Sequence, residues 1–459
     1  MSGYYRDFDS NGYRKLVSGV NTRIPLDNGT YVNSINFDNA ATTPAFLSVE
    51  KEMHDFLPWY SSIHRGRGYK SVLSTEVYES GRNVIKKFVG AHPDNDAVIY
   101  TKNTTDAINI LAHSLYQENE KDKDKKDIVI STWMEHAAND LPWRERFRVE
   151  YAEIDGYGRL VPEDIENRLK KNHGKVKLVT VTGAANVTGY LNDIYAIAEM
   201  AHKYDTMIHV DGAQYVPHVP MDMKPRGSAG HIDFLSFSAH KMYAPFGCGV
   251  LIGPQKAFEC GDPYCKGGSA IQLVTHENIL WEEPPTKDEA GTPNLMGVVA
   301  LVSAVNELQR VGMQNAFSHE SSLLNYAYRK IMEVPGIKLY SHPHMQESIG
   351  VIAFNMEDVH HSLMSAILSY EAGIAVRNGF FCAHPYCERL LGYSAEEIVA
   401  VAKEHRQFPG IVRASFGLYN NYNEIDRFID FLHYLASNKK FFVDKYGKSR
   451  GKYNIRNEV

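Results

Sequence analysis

What this chain lacks narrows its class before any motif is read. It has no long uncharged apolar run, and its mean hydropathy is -0.35, so no membrane span is expected. Met1–Ser10 has no basic stretch followed by an apolar one, which argues against a secretory signal. Cysteines number five, Cys248, Cys260, Cys265, Cys382 and Cys387, and an odd, sparse set makes no disulfide framework. Neither Cys260/Cys265 nor Cys382/Cys387 sits in a His/Cys ligand cluster, so no metal site is expected. Basic surplus is missing too: 49 Lys+Arg face 55 Asp+Glu, and no basic stripe suits a nucleic acid. The chain shows no internal repeat and no Gly/Ser linker. A cytoplasmic location is the simplest expectation.

What is present is a large core. The 459 residues are 44% hydrophobic, enough for two or three domains at roughly 100–200 residues each. Short apolar runs at Ala97–Tyr100, Asp127–Ser131, Lys177–Thr182, Thr206–Val210, Phe234–Ser238 and Gly249–Ile252 read as strands. Helical patterns such as Thr105–Leu115, Pro162–Lys171 and Ile194–Tyr204 lie among them. Continuous apolar strands alternating with helices predict an α/β layer with a mostly parallel sheet. The charge run Glu118–Asp127 reads as a solvated helix-to-strand loop. From about Pro293 the pattern shifts to helices near Leu295–Arg310 and Phe317–Glu333, scattered strands, and a last helix near Asn423–Ala436. This predicts a smaller α+β domain. The division is an N-terminal extension at 1–33, a large domain at 34–294, a small domain at 295–438 and a polar tail at 439–459.

Ligands of such sheets bind beyond the carboxyl ends of the strands. There Thr206–Val210 leads into Asp211-Gly212-Ala213-Gln214, and Phe234–Ser238 into Ala239-His240-Lys241. An acid and a lysine at neighbouring strand ends suit a pyridine cofactor. Pyridoxal 5'-phosphate needs a carboxylate for its ring nitrogen and a lysine for its aldehyde. Each residue alone has a blander reading: the Asp as a helix cap, the Lys as a solvated charge.

The block HVDGAQYVPHVPMD…HIDFLSFSAHKMYAPFGCGVLIG resembles the cofactor-binding stretch of class V aminotransferases, and most nearly the group II cysteine desulfurases and selenocysteine lyases. The resemblance continues in chain order through INFDNAATTP (35–44), HRGRGYKS (64–71), YTKNTTDAIN (100–109), MEHAAND (134–140) and GAANVTG (183–189). It ends with DEAGTPN (288–294), AVRNGFFCAHP (375–385) and VRASFGLYNNYNEID (412–426). So many motifs in order, spanning roughly Ser34 to Leu435, are far more specific than any one of them.

The resemblance implies fold type I of the pyridoxal phosphate enzymes and the following roles. Lys241 would hold the aldehyde, Asp211 the ring nitrogen and Gln214 the ring hydroxyl. His136 would stack on the ring and move protons. Thr104, Thr105, Ser238 and His240 would grip the phosphate, Thr105 near a helix N-terminus. Thr292 would reach the phosphate of a partner subunit, which implies a homodimer. Arg413 would clamp the substrate carboxylate, assisted by Arg377 and Asn186. Cys382 would attack the sulfur of cysteine, leaving alanine and a persulfide for an acceptor protein or small thiol; selenocysteine would react similarly. Cys248 and Cys260 have only a structural reading.

Three departures from the family pattern involve four positions. Phe380-Phe381 replace two histidines before the nucleophile, Asn103 replaces a glycine, and Ala137 replaces a second histidine. With an apolar Phe pair, a divergent aminotransferase, epimerase or C–S lyase acting on another amino acid is the alternative. A cofactor-free scaffold is disfavoured by the joint presence of Lys241, Asp211, His136 and Arg413.

Overall fold

The computed structural model describes residues 10–341, 348–404 and 407–447; the ends of the expected extension (1–9) and tail (448–459) lie outside them. At its centre is a seven-stranded sheet. Its strands are β1 (Asp96–Thr101), β2 (Ile128–Thr132), β3 (Arg148–Ala152), β4 (Val176–Thr182), β5 (Met207–Asp211), β6 (Phe234–Ser238) and β7 (Gly249–Pro254). Their order is β1-β7-β6-β5-β4-β2-β3. Pairs β2–β3, β2–β4, β4–β5 and β5–β6 are parallel, while β7 runs antiparallel to both β1 and β6. Every residue of β1, β2, β4 and β6 is buried, as strands covered by helices on both faces require. The edge strand β3 carries Arg148 and Glu150 and stays partly exposed.

The smaller sheet has strands β8 (Ile337–Leu339), β9 (Val351–Met356), β10 (Arg377–Gly379) and β11 (Ile411–Ser415), ordered β8-β9-β11-β10 and antiparallel throughout. Helices His361–Ala372 and Tyr422–Ser437 cover it, and their apolar faces share a core with Phe354 and Val412.

Packing departs from the expected divisions in three places. Helix Leu295–Val311 buries Leu295, Val298 and Leu301 in the core of the large sheet, so a boundary at 294/295 cuts across that core. Residues Lys439–Gly447 form a helix whose Phe442 and Tyr446 are buried, so the polar tail does not begin at 439. The helix Thr104–Lys121 runs on into the charge run that the sequence reads as a loop. Its buried face continues to Asn119, and the side-chain amide oxygen of Asn119 accepts from Lys126 N where the chain turns back. The segment before Ser34 is attached rather than free: Tyr13 and Val17 are buried, and Arg14 pairs with Glu424 at 2.7 Å.

Candidate active site

The carboxyl ends of the parallel strands open together. Just past β1 comes the helix starting at Thr104, past β2 comes His136, β5 ends on Asp211, and β6 leads into His240 and Lys241. They face loops of the small sheet across a cleft of about 420 Å³. Twelve of the residues singled out above line it: Thr104, Thr105, His136, Asn186, Asp211, Gln214, Ser238, His240, Lys241, Arg377, Cys382 and Arg413. Thr292 does not; it is exposed elsewhere on the chain.

On the large-sheet wall, burial pushes the Lys241 amine down to about 8, against the opposing pull of the Asp211 carboxylate. Burial raises Asp211 in turn, and a hydrogen bond from Ala213 N at 2.9 Å opposes it. His136 is pushed to about 4 by burial, with Lys241 and Arg413 adding to the effect. Its Nδ1 accepts from Ala138 N at 3.1 Å, which leaves the ring proton on Nε2. Beneath His136, Glu135 is fully enclosed and burial raises it to about 8. It accepts from Thr132 Oγ1 (2.6 Å), Asn139 Nδ2 (2.7 Å) and Thr182 N (3.0 Å), fixing the His136 turn to β2 and β4.

At the helix end, Thr104 N donates to Ser238 Oγ at 2.7 Å, and the two hydroxyls lie 2.6 Å apart. Two hydroxyls beside a helix N-terminus are a setting that suits an anion. Asn103 fits where the family has glycine because its backbone is extended (φ -171°), a conformation open to any residue. Its side chain caps the helix, accepting from Asp106 N at 3.0 Å. Glycine is needed at the facing Gly249, where a Cβ would come within 2.5 Å of the Asn103 carbonyl carbon.

The small-sheet wall supplies cations and the thiol. Arg413 is buried; its Nη1 donates to Asn186 O at 2.7 Å and its Nη2 lies 3.4 Å from Asp38 Oδ1. Arg377 Nε lies 3.4 Å from the other Asp38 oxygen. Asp38 thus aligns both arginines. The sequence reading passed over it, although it sits in the quoted INFDNAATTP stretch. Cys382 is exposed and follows Phe381; both have left-handed backbone, φ 52° and 55°. Two bonds hold this turn: Ala137 N donates to Cys382 O (2.7 Å) and Asn186 Nδ2 to Phe381 O (2.8 Å). The Phe pair divides its duties. Phe380 is buried, its ring 4.8 Å from that of His384, while Phe381 lies under the Arg413 guanidinium at 4.9 Å. Cys387, by contrast, is a buried thiol raised by burial.

The residues fit a phosphorylated pyridine. Gln214 Nε2 is engaged with Ala40 O at 2.7 Å, but its buried Oε1 has no partner among the described residues, as an acceptor for a ring hydroxyl requires. Arg413 Nε is likewise buried without a partner, a donor left for a substrate carboxylate.

The comparisons agree with this geometry. The profile of the family "Aminotransferase class-V" matches residues 35–428. A cysteine desulfurase of Haloferax volcanii is 33% identical over 423 residues, covering 91% of this chain and 92% of its own. A probable cysteine desulfurase of Halalkalibacterium halodurans is 33% identical, covering 85% and 90%. Among solved structures, an apo cysteine desulfurase of Thermococcus onnurineus superposes with a TM-score of 0.77 at 29% identity, covering 88% of this chain and 95% of that one. The cysteine desulfurase CsdA of Escherichia coli, in S-sulfonic acid form, gives 0.76 at 26% identity, covering 93% and 98%. From residue 35 to residue 428, this chain belongs to the class-V aminotransferase family, and its relatives there are cysteine desulfurases.

Proposed function

We propose that this enzyme binds pyridoxal 5'-phosphate and converts L-cysteine to L-alanine, leaving a persulfide on Cys382. The observation that carries the reading is the meeting of two nucleophiles in one cleft: Lys241 between Asp211 and the arginines, and the exposed Cys382 on the opposite wall.

Lys241 and Asp211 would hold the cofactor's aldehyde and ring nitrogen, Gln214 its hydroxyl, His136 one face of its ring, and Thr104, Thr105, Ser238 and His240 its phosphate. When bound, the cofactor supplies an electron sink for the pair left at the substrate α-carbon. Arg413 binds the substrate carboxylate, with Arg377 and Asn186 beside it. Lys241 Nζ takes the α-proton, a task suited to an amine titrating near neutrality. His136 Nε2 would pass a proton within the cleft. The Cys382 thiolate then attacks the substrate sulfur: an S–S bond forms, the substrate C–S bond breaks, and its electron pair returns to the carbon skeleton, which takes up protons to leave as alanine. The persulfide passes to a thiol acceptor, protein or small molecule. Selenocysteine is a second substrate of the same chemistry. Thr292 is proposed to complete the phosphate site of a partner subunit in a homodimer. Among the described residues no helix is long and apolar enough to cross a membrane, and a cytoplasmic location is proposed.

The test is sulfide and alanine release from L-cysteine with a reductant, in wild type and Cys382→Ala. Equal yields of both products, lost in the variant while its visible cofactor absorption remains, are expected. Product formation that survives Cys382→Ala would overturn the role of Cys382. It would favour the alternative that the apolar lining by Phe380 and Phe381 supports, an aminotransferase, epimerase or C–S lyase acting on a larger amino acid.

A further inference from the structure

Two arginines stand side by side on the small-sheet wall. Arg377 and Arg413 are register partners on the neighbouring antiparallel strands β10 and β11. Like charges directly opposite one another weaken a sheet. Arg413 is also buried, and the charge of Arg377 acts against its own. A third segment brings the compensating anion. Asp38 forms a parallel bridge with Ser415, two residues past Arg413. Ser415 N donates to Phe37 O at 2.7 Å, Asn39 Nδ2 to Ser415 O at 2.9 Å and Ala40 N to Ser415 Oγ at 2.9 Å. Asp38 N donates to Asn36 Oδ1 at 3.1 Å. These bonds fasten the segment to the end of β11 and set one carboxyl oxygen of Asp38 against each guanidinium, both at 3.4 Å. Burial raises the Asp38 carboxyl, and the two arginines oppose it. Each oxygen faces a group that can only donate, so the carboxyl accepts as an anion.

The charges along the cleft can then be counted. Of its lining residues, Asp211, Lys241, Arg377 and Arg413 are the Asp, Lys and Arg side chains. Burial pushes His136 and His240 to about 4 each and lowers His384, so all three are neutral at pH 7. Asp211 and Lys241 are committed to the cofactor in the reading above. Two guanidiniums less one Asp38 carboxylate leave a single positive charge. The α-carboxylate of a substrate neutralises it, using the unpartnered Nε of Arg413. A second carboxylate, on the substrate side chain, would find no cation left over. Around Cys382 the wall offers Phe380, Phe381 and the neutral His384. An anion taken out of water without a counter-charge is costly.

We infer that Asp38 sets the charge this site accepts, admitting amino acids with one carboxylate and an uncharged side chain and rejecting those with an acidic side chain. The inference rests on Arg413 and Arg377 being the substrate clamp. A cysteine thiol, which titrates at about 8.5, meets the condition at neutral pH. Asp38 is not part of the cleft lining; it acts by occupying the Arg377 Nε that a second acid would need. Its role is to position and to withhold charge, a form of specificity directed against the wrong ligand.

The test uses cofactor-loaded enzyme and two acids that lack an amine, propionate with one carboxylate and succinate with two. Their binding is followed by calorimetry at pH 7. Wild type should bind propionate more tightly than succinate. Asp38→Asn keeps the side-chain shape and removes the charge. It should tighten succinate relative to propionate by about tenfold or more, the worth of one charge-assisted bond regained at Arg377. Adding Arg377→Gln to Asp38→Asn should abolish that gain, which a merely structural role for Asp38 would not predict. Equal weakening of both acids in Asp38→Asn would overturn the inference and leave Asp38 as an aligning residue only. A wild type that prefers succinate would overturn it as well. If wild type binds neither acid, the arginines are no carboxylate clamp, and the reading of the site falls together with the inference. Should Asp38→Asn fail to fold, the wild-type preference decides.

Discussion

The two walls of the cleft are built by different means. Lys241, Asp211 and His136 stand at the ends of strands whose ladders fix them from below. Cys382 stands on an exposed turn with two consecutive left-handed residues, held by single bonds to Ala137 and Asn186. Strand ends give a cofactor a fixed seat. A turn that stands clear of the core suits a thiol that must reach a substrate and then hand on a sulfur atom. Left-handed backbone at non-glycine residues costs energy and persists only where neighbours over-determine it; here the pair includes the thiol proposed as the nucleophile.

Substitutions should separate the walls. Lys241→Ala should lower turnover by ~10³-fold or more and remove the visible absorption of the bound cofactor, with far-UV circular dichroism unchanged. The low-lying amine makes a pH prediction of the next size. In cofactor-free protein, Lys241 is protonated and inert below about pH 8 and free to attack an aldehyde above it. Uptake of pyridoxal 5'-phosphate, followed by absorbance, should therefore speed up with rising pH and level off above about 8. An ordinary lysine, titrating at 10.5, would keep gaining, and its free-amine fraction at pH 7 would be lower by on the order of 10²-fold. Arg413→Lys loses the planar fork while keeping charge, and kcat/KM should fall roughly 10–100-fold through KM. Arg377→Lys, at a half-exposed side chain, should cost several-fold less.

The thiol wall responds in stability as well. Phe380→His puts an imidazole where the side chain is buried among Ala383, Tyr386 and Ile411, and should cost about 1–3 kcal/mol in denaturant unfolding. Phe381→His, at a partly exposed position, should cost less; an equal cost would break the contrast between the two positions. The smallest effect expected is that of Asn186→Ala. It removes one of the two bonds to the turn, about 1 kcal/mol, and should slow sulfide release a few-fold while leaving the cofactor spectrum unchanged.

The same contrast marks what the sequence discloses. Strands β1, β2 and β4 to β7 are visible as short, largely apolar runs, so Asp211 and Lys241 stand out as a pair at neighbouring strand ends, and the resemblance gives them their roles. β3 escapes because its exposed edge needs Arg148 and Glu150, which break the run. Helix Tyr69–Val89 also escapes. Its buried face carries Ser71, Ser74, Gly81 and Arg82 in place of an apolar stripe, because Arg82 and Tyr78 are satisfied internally by Glu289 at 2.7 Å each. Cys382, Arg377 and Arg413 reach the cleft through an antiparallel sheet whose pairings no local pattern announces, and only the resemblance pointed to them. Asp38 lay in a quoted motif but had no assigned partner, since its arginines are more than three hundred residues away.

The bond from Ala137 to the Cys382 carbonyl has a bearing on how this site can drift. The amide makes it, so the side chain at 137 is silent. The tie therefore survives exchange of histidine for alanine there, and nearly any other exchange. Proline alone, lacking the hydrogen, would sever it. The position can thus vary widely among relatives while remaining structurally indispensable, which an inventory of side chains would overlook.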